Sequence, residues 1–138
     1  MSIEEEASAL LRVPPFKPVP ANRLKLLAFA SQLVTEHAGT VIITQDRPGE
    51  SAYVLLEGTV SVEIDIEGST QSFGELEPYA FFGEIAVIRN SPRAATITAV
   101  SDVTLLKISK IALHNLMNIE PDLAGRIEQH IASRGYKF

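Results

Sequence analysis

The sequence contains no cysteine. That absence excludes disulfides, thiol nucleophiles and thiolate metal sites. Basic residues are also in short supply: 12 Lys and Arg stand against 17 Asp and Glu, for a net charge of −5. A general nucleic-acid surface needs clustered Lys and Arg, so the balance argues against one. No apolar run approaches the ~20 residues of a membrane span. The opening Met1-Ser2-Ile3-Glu4-Glu5-Glu6 has the wrong sign for a signal peptide. The cytoplasm is the expected address. His37, His114 and His130 form no H-x-H or H-E-x-x-H spacing, and neither a G-x-S-x-G nor a G-x-x-x-x-G-K-[ST] run occurs. No metal site and no catalysis are therefore expected.

What is present is an ordinary globular balance of 46% apolar and 21% charged residues over 138 positions, enough for one domain and too few for two. Residues 1–38 read as N-terminal helices. The first runs from Ser2 to Arg12, with acids in its opening turn and Ala7, Leu10 and Leu11 along one face, and Val13-Pro14-Pro15-Phe16 ends it. The second starts at Pro20-Ala21-Asn22, with Asn22 as N-cap and Leu24, Leu27, Ala28 and Ser31 on one side. From 39 to 109 the pattern is that of strands. Thr40 to Gln45 and Ala52 to Glu57 flank an Asp46-Arg47-Pro48-Gly49-Glu50 turn. Thr59 to Ile66 alternates cleanly, with Val60, Val62, Ile64 and Ile66 on the buried face, and Gln71 to Leu76, Ala95 to Val100 and Val103 to Ile108 follow. Many short strands without long intervening helices imply an antiparallel barrel or jelly roll. Residues 110–138 read as two C-terminal helices. Ser109 caps the first; Pro121-Asp122 opens the second, which carries a Leu123, Ile127, Ile131 stripe to Arg134 and stops at Gly135.

One stretch carries chemistry: Phe82-Gly83-Glu84-Ile85-Ala86-Val87-Ile88-Arg89-Asn90-Ser91-Pro92-Arg93-Ala94-Ala95-Thr96. Gly83 lets a ligand approach the backbone, and the free N–H groups of a first helical turn at Glu84, Ile85 and Ala86 suit phosphate oxygens. Arg93 adds a positive fork able to grip two of those oxygens. Glu84 repels phosphate but fits a hydroxyl donor beside it, such as a ribose 2′-OH. One acid and one base together imply a sugar phosphate.

F-G-E-I-A, followed by P-R-A-A-T at the same loop length, resembles the phosphate-binding cassette of cyclic nucleotide-binding domains. These include the regulatory subunits of cyclic-AMP-dependent protein kinase, bacterial cyclic-nucleotide-gated channels and catabolite activator proteins. The short helix, V-P-x-F and P-x-x-x-L-x-x-L order resembles the N-terminal part of the same family. The resemblance implies that Arg93 binds the exocyclic phosphate oxygen, that Glu84 holds the ribose 2′-OH, and that amides around Ala86 and Ala94 complete the cradle, with Phe82, Gly83, Ile85 and Ala95 as its remaining members. A threonine after the arginine often accompanies cyclic GMP in the family. Here Ala94 stands there, which favours cyclic AMP as ligand over cyclic GMP; no further cofactor is implied. The base would meet Leu76 as a wall and Arg134, Tyr136 and Phe138 as a lid, and the C-terminal helices would move as it closes, signalling to a protein partner or neighbouring domain.

Two positions depart from the family pattern, Asp46 and Tyr79, where glycines usually stand. A tyrosine at positive φ would be strained, so the loop into the cassette is expected to take a different turn, or Tyr79 to cover the pocket mouth. These departures motivate a second reading, an interaction scaffold that kept the fold and lost the ligand. A third, a cupin-like metalloenzyme, lacks the histidine pair that such barrels use.

Overall fold

The computed structural model describes residues 1–134. The elements follow in the order α1 (Ile3–Leu10), a 3-10 turn (Pro14–Phe16), α2 (Ala21–Phe29), β1 (Gln32–Glu36), β2 (Val41–Ile43), β3 (Ser51–Glu57), β4 (Val60–Ile66), β5 (Ser69–Leu76), β6 (Phe81–Phe82), α3 (Glu84–Ile88), β7 (Thr96–Ala99), β8 (Val103–Ser109), α4 (Lys110–Ile119) and α5 (Leu123–Arg134). All strand pairs are antiparallel and form two four-stranded sheets, ordered β1-β8-β3-β6 and β2-β7-β4-β5. The sheets do not close into a barrel. They enclose a core of their own, in which Tyr53, Leu55 and Leu105 of one sheet meet Val60, Val62 and Ile97 of the other.

β3 explains the layering. Its residues Ala52, Val54 and Leu56 belong to a second core shared with the helices, while Tyr53 and Leu55 face the inter-sheet core. A strand buried on both sides loses the apolar–polar alternation of a half-wet one. β4 keeps that alternation through Val60 and Val62, but Ile66 is exposed. The register accounts for it: β7 pairs with β4 only as far as Glu63, and beyond that β4 runs on with β5 alone.

The helical shell starts with Ser2 and Glu5, which cap each other reciprocally at the start of α1. Asn22 is not the cap of α2. It lies inside the helix, and the Pro20 carbonyl accepts the first bonds, from Arg23 N at 3.0 Å and Leu24 N at 3.2 Å. Proline forfeits nothing there, because a helix-start N–H has no partner within the helix. The N-terminal region is also not wholly helical. Ser31 Oγ donates to the Leu27 carbonyl at 2.6 Å, and the chain then forms the edge strand β1, Leu33-Val34-Thr35 pairing with Thr104-Leu105-Leu106. Ser109 caps α4 by accepting from Ala112 N, as its position suggested. The stripe Leu123, Ile127, Ile131 of α5 is buried, and Arg126 Nε donates to the Pro15 carbonyl at 3.0 Å. Gly135, the expected stop, lies outside the described residues, as do Tyr136 and Phe138.

Asp46 and Tyr79 both adopt the left-handed backbone, at φ 71° and 72°. The loop before the cassette therefore keeps the glycine-like turn despite its tyrosine, contrary to the expected change of turn. Nor does Tyr79 line the pocket at the cassette. Its ring packs against the helix-side core, with Arg12 Cζ 4.4 Å from its centroid, and its N–H donates to the Leu55 carbonyl at 2.9 Å. Those contacts offset the cost of a side chain at positive φ, roughly 1–2 kcal/mol. Tyr79→Ala loses the ring and keeps the Cβ penalty, whereas Tyr79→Gly loses both. Urea unfolding is expected to find the glycine variant more stable than the alanine variant by about 1 kcal/mol.

Candidate functional site

Gly83 is the N-cap of α3 and sits at φ 77°, the left-handed region that only glycine enters freely. Space is a second reason for glycine here. A Cβ on Gly83 would lie 2.7 Å from Arg93 Nη1 and 2.9 Å from Ile43 Cδ1. The residue thus makes room for the arginine as well as for any ligand. Gly49, in the turn before β3, has a parallel role: a Cβ there would lie 2.4 Å from Ala86 Cβ and 3.2 Å from Arg93 Cζ.

Arg93 is only 7% exposed. Its Nη1 donates to the Gly83 carbonyl at 2.6 Å and its Nη2 to the Ser51 carbonyl at 2.5 Å. The backbone is held as firmly: Arg93 N donates to the Arg47 carbonyl and Asp46 N to the Arg93 carbonyl, both at 2.8 Å, and Pro48 bridges Pro92. A guanidinium has five N–H hydrogens. Two carbonyl bonds fix its plane and leave the other hydrogens to give.

A cavity of about 140 Å3 lies between α3, the segment after it, and the strands β2 and β7. Among the proposed ligand residues, Gly83, Ile85, Ala86, Arg93, Ala94 and Ala95 line it, which brings both ends of the cassette to one place. Ile43 and Ile97 form the apolar wall opposite, and Ser91 and Pro92 complete the rim. None of these four was a candidate, and neither was Ser51. Ile43 and Ile97 come from strands far apart in sequence that pair through β2 and β7, and Ser51 contributes its backbone carbonyl, a contact that residue type does not announce.

The other candidates stand elsewhere. Phe82 is fully buried in the inter-sheet core and stacks on Tyr53, ring centroids 5.5 Å apart at 14°. Leu76 is buried in that same core. Glu84 is fully buried and accepts a hydrogen bond from Arg134 Nη2 through Oε1, while its Oε2 has no hydrogen-bond partner among the described residues. Burial pushes the Glu84 carboxyl up to about 7, against the pull of the Arg134 and Arg93 guanidiniums. Arg134 is thus a partner of the buried acid, and its Nη1 also donates to the Phe81 carbonyl at 2.6 Å. Among the described residues no three His, Asp or Glu side chains come close enough to hold a metal ion. No helix among them is long and apolar enough to cross a membrane.

A helix start and a buried arginine that share one small cavity, on a two-sheet scaffold with a helical flank, define an anion-accepting domain. Residues 34–120 match the cyclic nucleotide-binding domain, and the chain belongs to that family. It is 35% identical over 112 residues to a cyclic nucleotide-gated potassium channel of Mesorhizobium japonicum, covering 81% of this chain and 30% of the channel. Among solved structures, the regulatory domain of Toxoplasma gondii protein kinase A with cyclic AMP superposes with a TM-score of 0.79 at 26% identity, over 83% of this chain and 44% of that one. The catabolite activator protein of Thermus thermophilus shares the fold, with a TM-score of 0.79 at 24% identity over 88% of this chain and 57% of that one. The chain spans less than a third of the length of the curated relatives it matches first. The fold is that of a cyclic nucleotide-binding regulatory domain.

Proposed function

We propose that this domain is a cytoplasmic sensor of cyclic AMP, binding it in preference to cyclic GMP and passing occupancy to a protein partner or neighbouring domain through α4 and α5. The observation that carries the reading is Arg93: a buried guanidinium, its plane fixed by two carbonyls, beside the cavity that Gly83, Ala86 and Ala94 also line. The cyclic phosphate pairs with that guanidinium and with amides of the first turn of α3 and of Ala94. Glu84 follows Gly83 but does not line that cavity, so holding a ribose 2′-OH requires its buried carboxyl, which now accepts from Arg134, to turn toward the ligand. A cavity of about 140 Å3 is smaller than the ~300–1,000 Å3 of whole-ligand pockets. It takes the phosphate and leaves the purine projecting out of it.

Several contacts connect this site to the moving parts. Arg134 of α5 joins Glu84; Arg89, just past α3, pairs with Glu128 of α5; Lys110 Nζ of α4 donates to Asn90 Oδ1 at 2.6 Å; and His114 Nε2 lies 3.2 Å from the Val87 carbonyl. A ligand that shifts α3 alters all four. By linkage, the helices respond only as far as ligand affinity differs between their two arrangements.

Calorimetric titration with both nucleotides tests the reading, and cyclic AMP should bind tighter. Ala94 offers no hydroxyl beside Arg93, so Ala94→Thr is expected to shift the preference toward cyclic GMP by about fivefold, the worth of one hydrogen bond. No heat and no thermal stabilisation with millimolar nucleotide would favour the scaffold reading instead. That alternative drew on the departures at Asp46 and Tyr79, yet both residues keep the positive φ of the glycines they replace.

A further inference from the structure

A second pocket, of about 270 Å3, opens on the other side of Arg93. It shares Ile43 and Arg93 with the first cavity but differs in chemistry, because Arg47, Lys107, Thr44, Ser51 and the Tyr53 phenol line it. We propose that this pocket is a second anion subsite, which takes a phosphate group between Arg47 and Lys107 with Arg93 as its back wall.

The placement of those cations is built into the fold. Arg47 lies in the turn whose carbonyl receives Arg93 N at 2.8 Å and whose Pro48 bridges Pro92, so the two arginines share one stapled corner. Lys107 of β8 stands directly opposite Tyr53 of β3 in the sheet register. Neither Arg47 nor Lys107 has an ion-pair partner among the described residues. Glu50 is the one acid of the lining, and its charge acts on Arg93. Three cations and one anion leave a local surplus of positive charge in a protein whose net charge is −5. Arg47 and Lys107 line one pocket, and an anion seated between them would be attracted by both. The phenol adds a neutral donor: burial pushes Tyr53 up from its ordinary value, so it keeps its proton. A purine would meet too many charged groups here, whereas phosphate oxygens would be matched on several sides.

The phosphate has two possible sources, a free anion or a further phosphate on a nucleotide already seated at the first cavity. The test follows backbone amide shifts of 15N-labelled protein at constant ionic strength. Inorganic phosphate is titrated with and without cyclic AMP, and adenosine 3′,5′-bisphosphate is titrated separately. Phosphate is expected to shift the Arg47, Ser51 and Lys107 amides saturably under both conditions. Lys107→Gln and Arg47→Gln, both at positions that are not fully buried, should each weaken that binding by about tenfold. A matching loss for the bisphosphate assigns the subsite to a doubly phosphorylated nucleotide; a loss confined to inorganic phosphate assigns it to the free anion. Non-saturable shifts, equal affinity in both variants, or shifts confined to residues 83–86 and 93–95 would overturn the proposal. The phosphate arm without nucleotide stands apart from the cyclic AMP reading, so either can fail alone.

Discussion

Arg93→Ala is expected to weaken cyclic AMP binding by about 2–4 kcal/mol, some 30- to 1,000-fold by calorimetry. A charge-assisted hydrogen bond contributes roughly 1.5–3 kcal/mol, and the remainder arises because the phosphate would sit in a buried site with its charge partly unpaired. The arginine also has a structural role, since its guanidinium ties the Gly83 carbonyl at the start of α3 to the Ser51 carbonyl at the start of β3. The alanine variant should therefore unfold at lower urea even without ligand, by roughly 1–3 kcal/mol for the two carbonyls left without their donor. Arg93→Lys separates the two effects. A lysine keeps the charge but cannot reach two carbonyls and a phosphate at once. It should recover part of the ligand affinity and little of the ligand-free stability. Unchanged cyclic AMP affinity in Arg93→Ala would place the ligand elsewhere.

What could be read from the sequence was local. The cassette is a contiguous run, its glycine, acid and arginine keep fixed spacing, and Gly83, Ala86 and Arg93 meet at one cavity as that spacing suggests. The caps of α1 and α4 and the alternation at Val60 and Val62 are equally local signals. Long-range pairing was not legible. β1 is five residues long and follows a helix without a glycine or proline between, so only its pairing with β8 reveals it. Ile43 and Ile97 become one wall because β2 and β7 are neighbours. Tyr79 shows the opposite limit. Its intrinsic preference argues against positive φ, but the ring contacts with Arg12 and the helix-side core prevail. At Gly83 the spacing pointed only to a ligand, whereas the structure shows that Arg93 itself needs the space.

Arg134→Ala should destabilise the protein in a way that depends on pH. The Glu84 carboxyl is fully buried and, with Arg134 beside it, holds its proton up to about 7 instead of the ordinary 4.5. An acid raised in this direction binds its proton more tightly in the folded than in the unfolded chain. Its contribution to stability therefore falls as pH rises from about 4.5 to about 7 and is level above. Removing Arg134 takes away the largest attraction that keeps the carboxylate ionised, so the folded pKa moves higher and the decline continues past 7. Each pH unit of that extension is worth about 1.4 kcal/mol. Urea unfolding should show Arg134→Ala less stable than wild type by about 3 kcal/mol at pH 8.5 and by only about 1 kcal/mol at pH 5.5, where Glu84 is protonated in both. The loss that remains at acid pH comes from the guanidinium's hydrogen bonds, among them those to the Phe81 carbonyl and Glu84 Oε1. In a Glu84→Gln background, Arg134→Ala should cost the same at both pH values, because no charge is left to bury. An equal deficit at both would mean that the carboxylate does not depend on α5, and with it would go the direct connection from the start of α3 to the C-terminal helix.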